Sequence, residues 1–230
     1  MQIKKINNTV FEKLNKKIIA CNKCSRLVKF RKKISSEKRK QYLHETYWGK
    51  PITGFGDQNG KILFVGLAPA AHGGTRTGRV FTGDKSSEFL YKCLFNANIS
   101  NQSKSEYRND GLKLKKAYIT TALKCVPPED KPKKSELDNC FSFFNSEITY
   151  LKNLKVIVAL GKIAFDACTY FYKSKYKLNE KINFAHDKIY KLPDNIFLVG
   201  CYHPSPRNVN TGRINEKKMT SLFKKVLKLA

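Results

Sequence analysis

The sequence predicts an α/β fold, a three-layer α/β/α sandwich on a four-stranded parallel sheet. Two observations carry that expectation. Four short runs, KILFVGL (61–67), AYITTAL (117–123), KVIVALG (155–161) and IFLVGCY (196–202), are continuously apolar rather than alternating, as strands buried on both faces are. Helical patterns at 86–97, 134–152, 162–172 and 215–229 alternate with them, which favours parallel strands joined by crossover helices. A chain of 230 residues, 41% of them hydrophobic, can also bury one full core.

From the N-terminus, residues 9–20 place Val10, Phe11, Leu14, Ile18 and Ile19 near one face of a helix, with Asn8 or Thr9 as cap, leading into Cys21. Residues 25–50 are basic and aromatic without a sustained period and read as loop with short helix. Gly54–Asp57 reads as a turn. The polar stretch 98–116 and the charged stretch 173–191 read as loops or small insertions. With no repeat and no linker, one domain over 1–230 is expected, its helical N-terminal segment carrying the pair CNKC. Ligands of open α/β sheets bind beyond the carboxyl ends of the strands. Loops 68–84, 124–132 and 203–213 all leave such ends and should converge on one site.

Lys and Arg number 45 against 18 Asp and Glu, a formal net charge of +27. A surplus of that size lies mostly on the surface and predicts a polyanionic partner, nucleic acid before a membrane surface or a ribosome. No apolar stretch approaches the roughly 20 residues that span a bilayer. The basic N-terminal segment lacks the apolar core and cleavage site of a secretion signal, so a soluble, cytoplasmic protein is expected.

Residues 66–84, GLAPAAHGGTRTGRVFTGD, suggest a phosphate loop, and Gly73 and Gly78 have the spacing. Arg79 and Val80 stand where the Lys and the metal-binding hydroxyl should be, which argues against a nucleoside triphosphate. Gly54, Gly56 and Gly60 precede their strand where a dinucleotide fingerprint would follow it. His72, Arg76, Arg79, Phe81 and Asp84 remain, a set suited to a planar, uncharged heterocycle; Asp84 is equally placed to cap the next helix. In YHPSPRN (202–208), proline confines the preceding His203 to extended backbone and so fixes its aim.

Seven cysteines, an odd number, predict reduced thiols or ligands rather than bridges. Cys21 and Cys24, with Cys125 and Cys140, can present four thiolates to zinc or to an iron–sulfur cluster, while a redox dithiol or inert thiols stay open. Lys23, Arg26 and Lys124 should lower the thiol pKa values. Cys93 and Cys168 read as small buried hydrophobes.

Taken in order, GLAPAAHGG-TRTGR-FTGD (66–84), RNDGLKL (108–114), AYIT (117–120), CVPP with KP (125–132), Cys140 and YHPSPRN-NTGR (202–213) resemble the type-5 branch of the uracil-DNA glycosylase superfamily. The resemblance implies a four-stranded parallel sheet, a [4Fe-4S] cluster on Cys21, Cys24, Cys125 and Cys140, and hydrolysis of the bond between a deaminated base and deoxyribose. The partner would be damaged DNA, double- or single-stranded, met by a monomer near the nucleoid. Gly66, Ala68 and Pro69 would line the base pocket, Phe81 would stack on the flipped ring, and His203 would bond the base carbonyl. The first motif offers no carboxylate beside its proline, which leaves Asp84 first and Asp130 second as the catalytic acid, with His72 as polar helper. Asp130 also departs from the family's Asn. Thr121 stands where uracil-strict branches place an Asn, which implies a broader range that extends from uracil toward hypoxanthine. Loop 204–211 would enter the minor groove with Arg207 as wedge and Asn208 near the base, while Arg76, Arg79 and Arg213 would grip phosphates.

Overall fold

The alternation of strand and helix closes into one mixed sheet. The computed structural model describes residues 2–177 and 180–230; positions 178 and 179 of the charged excursion lie outside the described residues. Helices α1 (Gln2–Ile19) and α2 (Ser25–Glu37) precede β1 (Phe55–Gly56) and β2 (Ile62–Gly66). Then come α3 (Gly74–Thr77), α4 (Lys85–Asn96), β3 (Ala117–Thr121), α5 (Lys134–Tyr150), β4 (Val156–Leu160), α6 (Lys162–Tyr176), β5 (Ile189–Lys191), β6 (Phe197–Cys201), α7 (Pro206–Asn210) and α8 (Glu216–Leu229).

The strand order is β1-β3-β2-β4-β6-β5. The four apolar runs form the parallel centre, and the short β1 and β5 close the edges antiparallel. These edges are additions to the four expected strands: β1 falls in the stretch read as a turn, β5 in the charged excursion. Strands of two and three residues are too short to show a period, and only a neighbour's free edge makes them strands. In register, Gly66 lies beside Thr121 and Leu160 beside Cys201. The carboxyl ends of β2, β3 and β6 therefore share one edge of the sheet.

Alternate residues of the central strands feed two cores. Ile62 and Phe64 pack with Leu90 and Leu94 of α4 and Phe223 and Val226 of α8. Leu63, Val65 and Ile157 pack with Phe11 of α1, Phe144 of α5, and Phe165 and Cys168 of α6 on the opposite face. Each such side chain contributes about 1.5–3 kcal/mol by leaving water. Helix α2 has 13 residues where the sequence predicts mostly loop, and it buries only Leu27 and Arg31. So narrow a stripe leaves little pattern to read. The helix is instead tied by polar bonds, Arg31 donating to the Gly49 carbonyl and to Asn22.

The second core encloses an ion pair. Lys124, three residues past β3, and Glu147 of α5 are 1% and 0% exposed and meet at 2.5 Å. Lys124 also donates to the Thr120 hydroxyl and the Thr121 carbonyl, while Glu147 accepts from Thr120 and from the Gly54 amide. Every formal charge in this pocket is thus answered. Glu147→Leu would strand the Lys124 ammonium, and a loss of about 3–5 kcal/mol is expected, read as a lowered urea midpoint; a loss below ~1 kcal/mol would show that the pair is dispensable.

Candidate active site

The three loops that leave the shared sheet edge enclose a cavity of about 390 Å³. Loop 66–84 contributes Leu67, Ala68, Pro69, Ala70, Phe81 and Asp84; loop 124–132 contributes Asp130; loop 203–213 contributes His203, Ser205 and Pro206, and Ser86 of α4 completes the wall. Convergence of the three loops follows from the parallel register, as the sequence predicts.

Phe81 is held in left-handed backbone, φ +47°, a conformation that costs a non-glycine residue about 1–3 kcal/mol and persists only where surroundings enforce it. Here Arg79, Thr82 and Ser105 enforce it: the Ser105 hydroxyl donates to the Phe81 carbonyl at 3.0 Å, and Arg79 donates to both Thr82 and Ser105. The ring lies so close to Gly66 that a β-carbon there would stand 2.7 Å from it. Glycine at 66 is therefore the condition for Phe81 to reach the cavity. Across it, the His203 ring sits 6.1 Å from Phe81, tilted by 34°. Burial pushes the His203 imidazole down to about 4, so it is neutral at physiological pH. Its carbonyl accepts from Asn208 Nδ2 and from the Ser205 amide. Asn208 thus braces the histidine loop and is not on the cavity wall, a correction to its expected place near the base.

Asp84 does two things at once. One oxygen accepts from the Ser87 amide at 2.9 Å and caps α4, while the other lies against Gly73, where any β-carbon would come within 2.0 Å of it. Burial raises its pKa, against the pull of the Ser87 and Ser86 amides. Capping and cavity lining are therefore not alternatives. Asp84 and Asp130 also border an adjoining cavity of about 460 Å³, shared with Arg39, Tyr42 and His72. His72 belongs to this second chamber, not the first; its Nδ1 lies 2.9 Å from the Tyr47 hydroxyl, and burial, with Arg39 and Arg76, lowers its pKa. Asp130 is exposed at the rim, where it and Glu129 both adopt left-handed backbone.

Two expected phosphate contacts are overturned. Arg76 is 8% exposed and is consumed by Glu45 and by the His72 and Gly83 carbonyls. Arg79 is 4% exposed and makes a two-pronged pair with Asp110. Burial alone would raise the Asp110 carboxyl, but Arg79 and the Leu112 and Glu106 amides hold it down at about 2. Both arginines brace the loop that presents Phe81. Thr121 is likewise buried at 1%, spends its carbonyl on Lys124, and is not on the cavity wall. Arg207 and Arg213 are exposed. Sequence alone did not single out Ser86, Ser205 or Asp110; the Asp in RNDG was the available signal, but nothing local says which arginine it meets.

Cys24, Cys125 and Cys140 pack in one small cluster with Leu27 and Leu123. Cys21 and Cys24 are near enough to act electrostatically on both Cys125 and Cys140. At two of these thiols burial outweighs the expected acidification, pushing Cys125 up to about 12 and Cys140 to about 11, although Lys124 pulls Cys140 the other way. The neighbouring cations are otherwise engaged, Lys124 by Glu147, Arg26 by Glu136, and Lys23 over the Phe143 ring. Among the described residues, no three His, Cys, Asp or Glu side chains close on a single ion. The gathered donors are all sulfur, a set that suits zinc or iron–sulfur chemistry.

The sequence model of the uracil DNA glycosylase superfamily matches residues 53–228. A type-5 uracil-DNA glycosylase of Pyrobaculum aerophilum is 38% identical over 212 residues, covering 91% of this chain and 88% of the relative. That of Thermus thermophilus is 38% identical over 213 residues, covering 93% and 95%, and that of Mycobacterium leprae 36% over 218, covering 94% of each. A type-4 uracil-DNA glycosylase of Archaeoglobus fulgidus is 25% identical over 168 residues, or 73% of this chain and 76% of the relative. With the matching motifs lying on the three loops that build the cavity, the chain belongs to the uracil-DNA glycosylase superfamily and, within it, to the type-5 uracil-DNA glycosylases.

Proposed function

We propose that this protein excises uracil from DNA by hydrolysing its N-glycosidic bond, the first step of base-excision repair, and that the carrying observation is the meeting of Phe81, His203 and Asp84 around one cavity. DNA is the substrate, and the protein acts as a monomer on double- or single-stranded DNA in the cytoplasm, near the nucleoid. No helix among the described residues is long and apolar enough to cross a membrane.

Extruding a base from the duplex costs a few kcal/mol, least at a mispair. Stacking on Phe81 offsets part of that cost. As the bond breaks, the departing base gains negative charge on its carbonyl, and a neutral His203 offers it one N–H. A neutral donor suits this task because it stabilises the charge without delivering a proton to the ring. The sugar develops oxocarbenium character, as in other glycoside hydrolyses. Asp84 is the carboxylate in place to stabilise that cation and to orient water arriving from the adjoining chamber. Burial raises its pKa, which makes it a better base than an ordinary carboxylate. Asp130, at the rim of both chambers, is the second candidate.

The cavity wall offers small apolar side chains and backbone at Leu67–Ala70, with no amide side chain among its residues. Without a paired donor and acceptor to read the pyrimidine edge, discrimination relaxes. Hypoxanthine and related deaminated purines are therefore proposed as further substrates. Cys21, Cys24, Cys125 and Cys140 would hold a [4Fe-4S] cluster, zinc being the alternative. An all-thiolate donor set suits the cluster. Hydrolysis moves no electrons, so a cluster held there would serve to cross-link the start of α2, loop 124–132 and α5.

With a uracil-containing duplex, Asp84→Asn is expected to lower single-turnover cleavage by about 10²–10⁴ while keeping its melting temperature, because Asn caps a helix as well as Asp. Full activity in that variant would remove Asp84 from the chemistry. His203→Ala should cost about 10²–10³ in the same assay. A hypoxanthine-containing duplex should also be cleaved by the wild type, and strict confinement to uracil would sink the broad-range reading. Anaerobically purified protein should show broad visible absorption that Cys140→Ser removes; a colourless protein carrying one zinc per chain would decide for the alternative.

A further inference from the structure

Among the described residues four cations are buried: Arg31, Arg76, Arg79 and Lys124. Three of them meet a carboxylate, Arg76 that of Glu45, Arg79 that of Asp110 and Lys124 that of Glu147. Arg31 meets none. It is 6% exposed, and its outer nitrogens donate to neutral groups, Nη1 to the Gly49 carbonyl at 2.6 Å and Nη2 to Asn22 Oδ1 at 2.7 Å. Its Nε–H is buried without an acceptor. A cation taken out of water needs an anion and a full set of hydrogen bonds. Among the described residues Arg31 has neither.

Local structure sets where this unanswered charge lies. Arg31 stands one turn beyond Leu27 on the buried stripe of α2, and Leu27 packs with Cys24, Cys125 and Cys140. The bond to Asn22 ties the guanidinium to the CNKC segment, between Cys21 and Cys24 in the chain. Arg31 is also near enough to Cys125 to act on it electrostatically. Other N–H groups already reach the sulfurs: the Lys124 amide donates to Cys140 Sγ at 3.5 Å, and Asn139 Nδ2 donates to Cys24 Sγ at 3.6 Å. Arg26 and Lys124, which neighbour the cysteines in the chain, are held by Glu136 and Glu147. Arg31 is thus the buried cation left for the sulfur cluster itself.

We infer that Arg31 is the counterion of a four-thiolate centre on Cys21, Cys24, Cys125 and Cys140, and that its Nε–H is a donor to the sulfur of that centre. The inference rests on the reading of these cysteines as a cluster or zinc site. Four thiolates outweigh the positive charge of a zinc ion or of an iron–sulfur core, so the filled centre is an anion. That anion answers the Arg31 charge, and Arg31 in turn stabilises the thiolates. Hydrogen bonds and charge placed behind the ligands govern how firmly a metal is held and, for a cluster, its potential.

The test uses the full-length protein purified anaerobically, with iron and zinc measured before and during challenge with excess EDTA. Arg31→Met removes the charge and the Nε–H at similar side-chain length, and should lose its metal about 10–100-fold faster than wild type. Arg31→Lys keeps the charge but not the fork onto Gly49 and Asn22, and should stay nearer to wild type than to Arg31→Met. Should Arg31→Met yield no folded protein, Arg31→Gln, which can still bond Gly49 or Asn22, carries the same expectation. Where the metal is iron, redox titration of the visible absorption should place the uncharged variant at a lower potential than wild type, because a nearby cation favours the more negative, reduced form. An uncharged variant whose metal loss or potential matches the wild type, or Arg31→Lys that loses metal as fast as Arg31→Met, would overturn the counterion and leave Arg31 a packing role. Wild-type protein free of both iron and zinc would overturn the cysteine site itself, whatever the variants do.

Discussion

The buried pairing of Lys124 with Glu147 is the constraint on which the site depends. Two charges taken out of water are tolerable only if both are fully answered, and here the answers come from β3, α5 and the Gly54 amide beside β1. Lys124 directly precedes Cys125, and Glu147 lies two turns beyond Cys140 on the same face of α5. One ion pair thus fixes the strand end beside Gly66, the two downstream thiol arms, and the root of the loop that carries Asp130 to the cavity rim. Arg26 closes the same structure from α2, forking onto Glu136 and reaching the Lys131 carbonyl. Loop 124–132 is therefore held at its root and near its tip.

Burial also sets the protonation states. The same desolvation that holds His203 neutral raises the Asp84 carboxyl and both inner thiols. For His203 this supplies a neutral donor, and for Asp84 a stronger base. For Cys125 and Cys140 it favours the protonated thiol. A net charge of +27 does not reach this interior. Near the cavity Arg76 and Arg79 turn inward onto Glu45 and Asp110.

Much of this was legible in the chain. The four apolar runs are strands because continuous apolarity needs two covered faces, and the helices between them follow from period. The motifs on loops 66–84 and 201–208 name Phe81, Asp84 and His203 correctly as neighbours of one cavity, because parallel strands deliver their carboxyl ends to one edge. Glycine at 66 is a local requirement met by a distant ring. β1 and β5 were not legible, being too short for a period, and α2 hid behind a buried stripe of two residues.

Charge was where sequence misled. The family resemblance implies Arg76 and Arg79 as phosphate ligands, and Lys124 stands in sequence as a neighbour that acidifies thiols. Each is committed to a carboxylate 31 or 23 positions away, and at Cys140 the pull of Lys124 is outweighed by burial. Asn208 and Thr121 lie in family motifs yet spend their polar groups on the protein itself. Apolar pattern and backbone preference act over a few residues and are written in the order of the chain. The partner of a charge, the proton on a buried histidine and the cation left facing solvent depend on distance and dielectric, which exist only once the chain has folded.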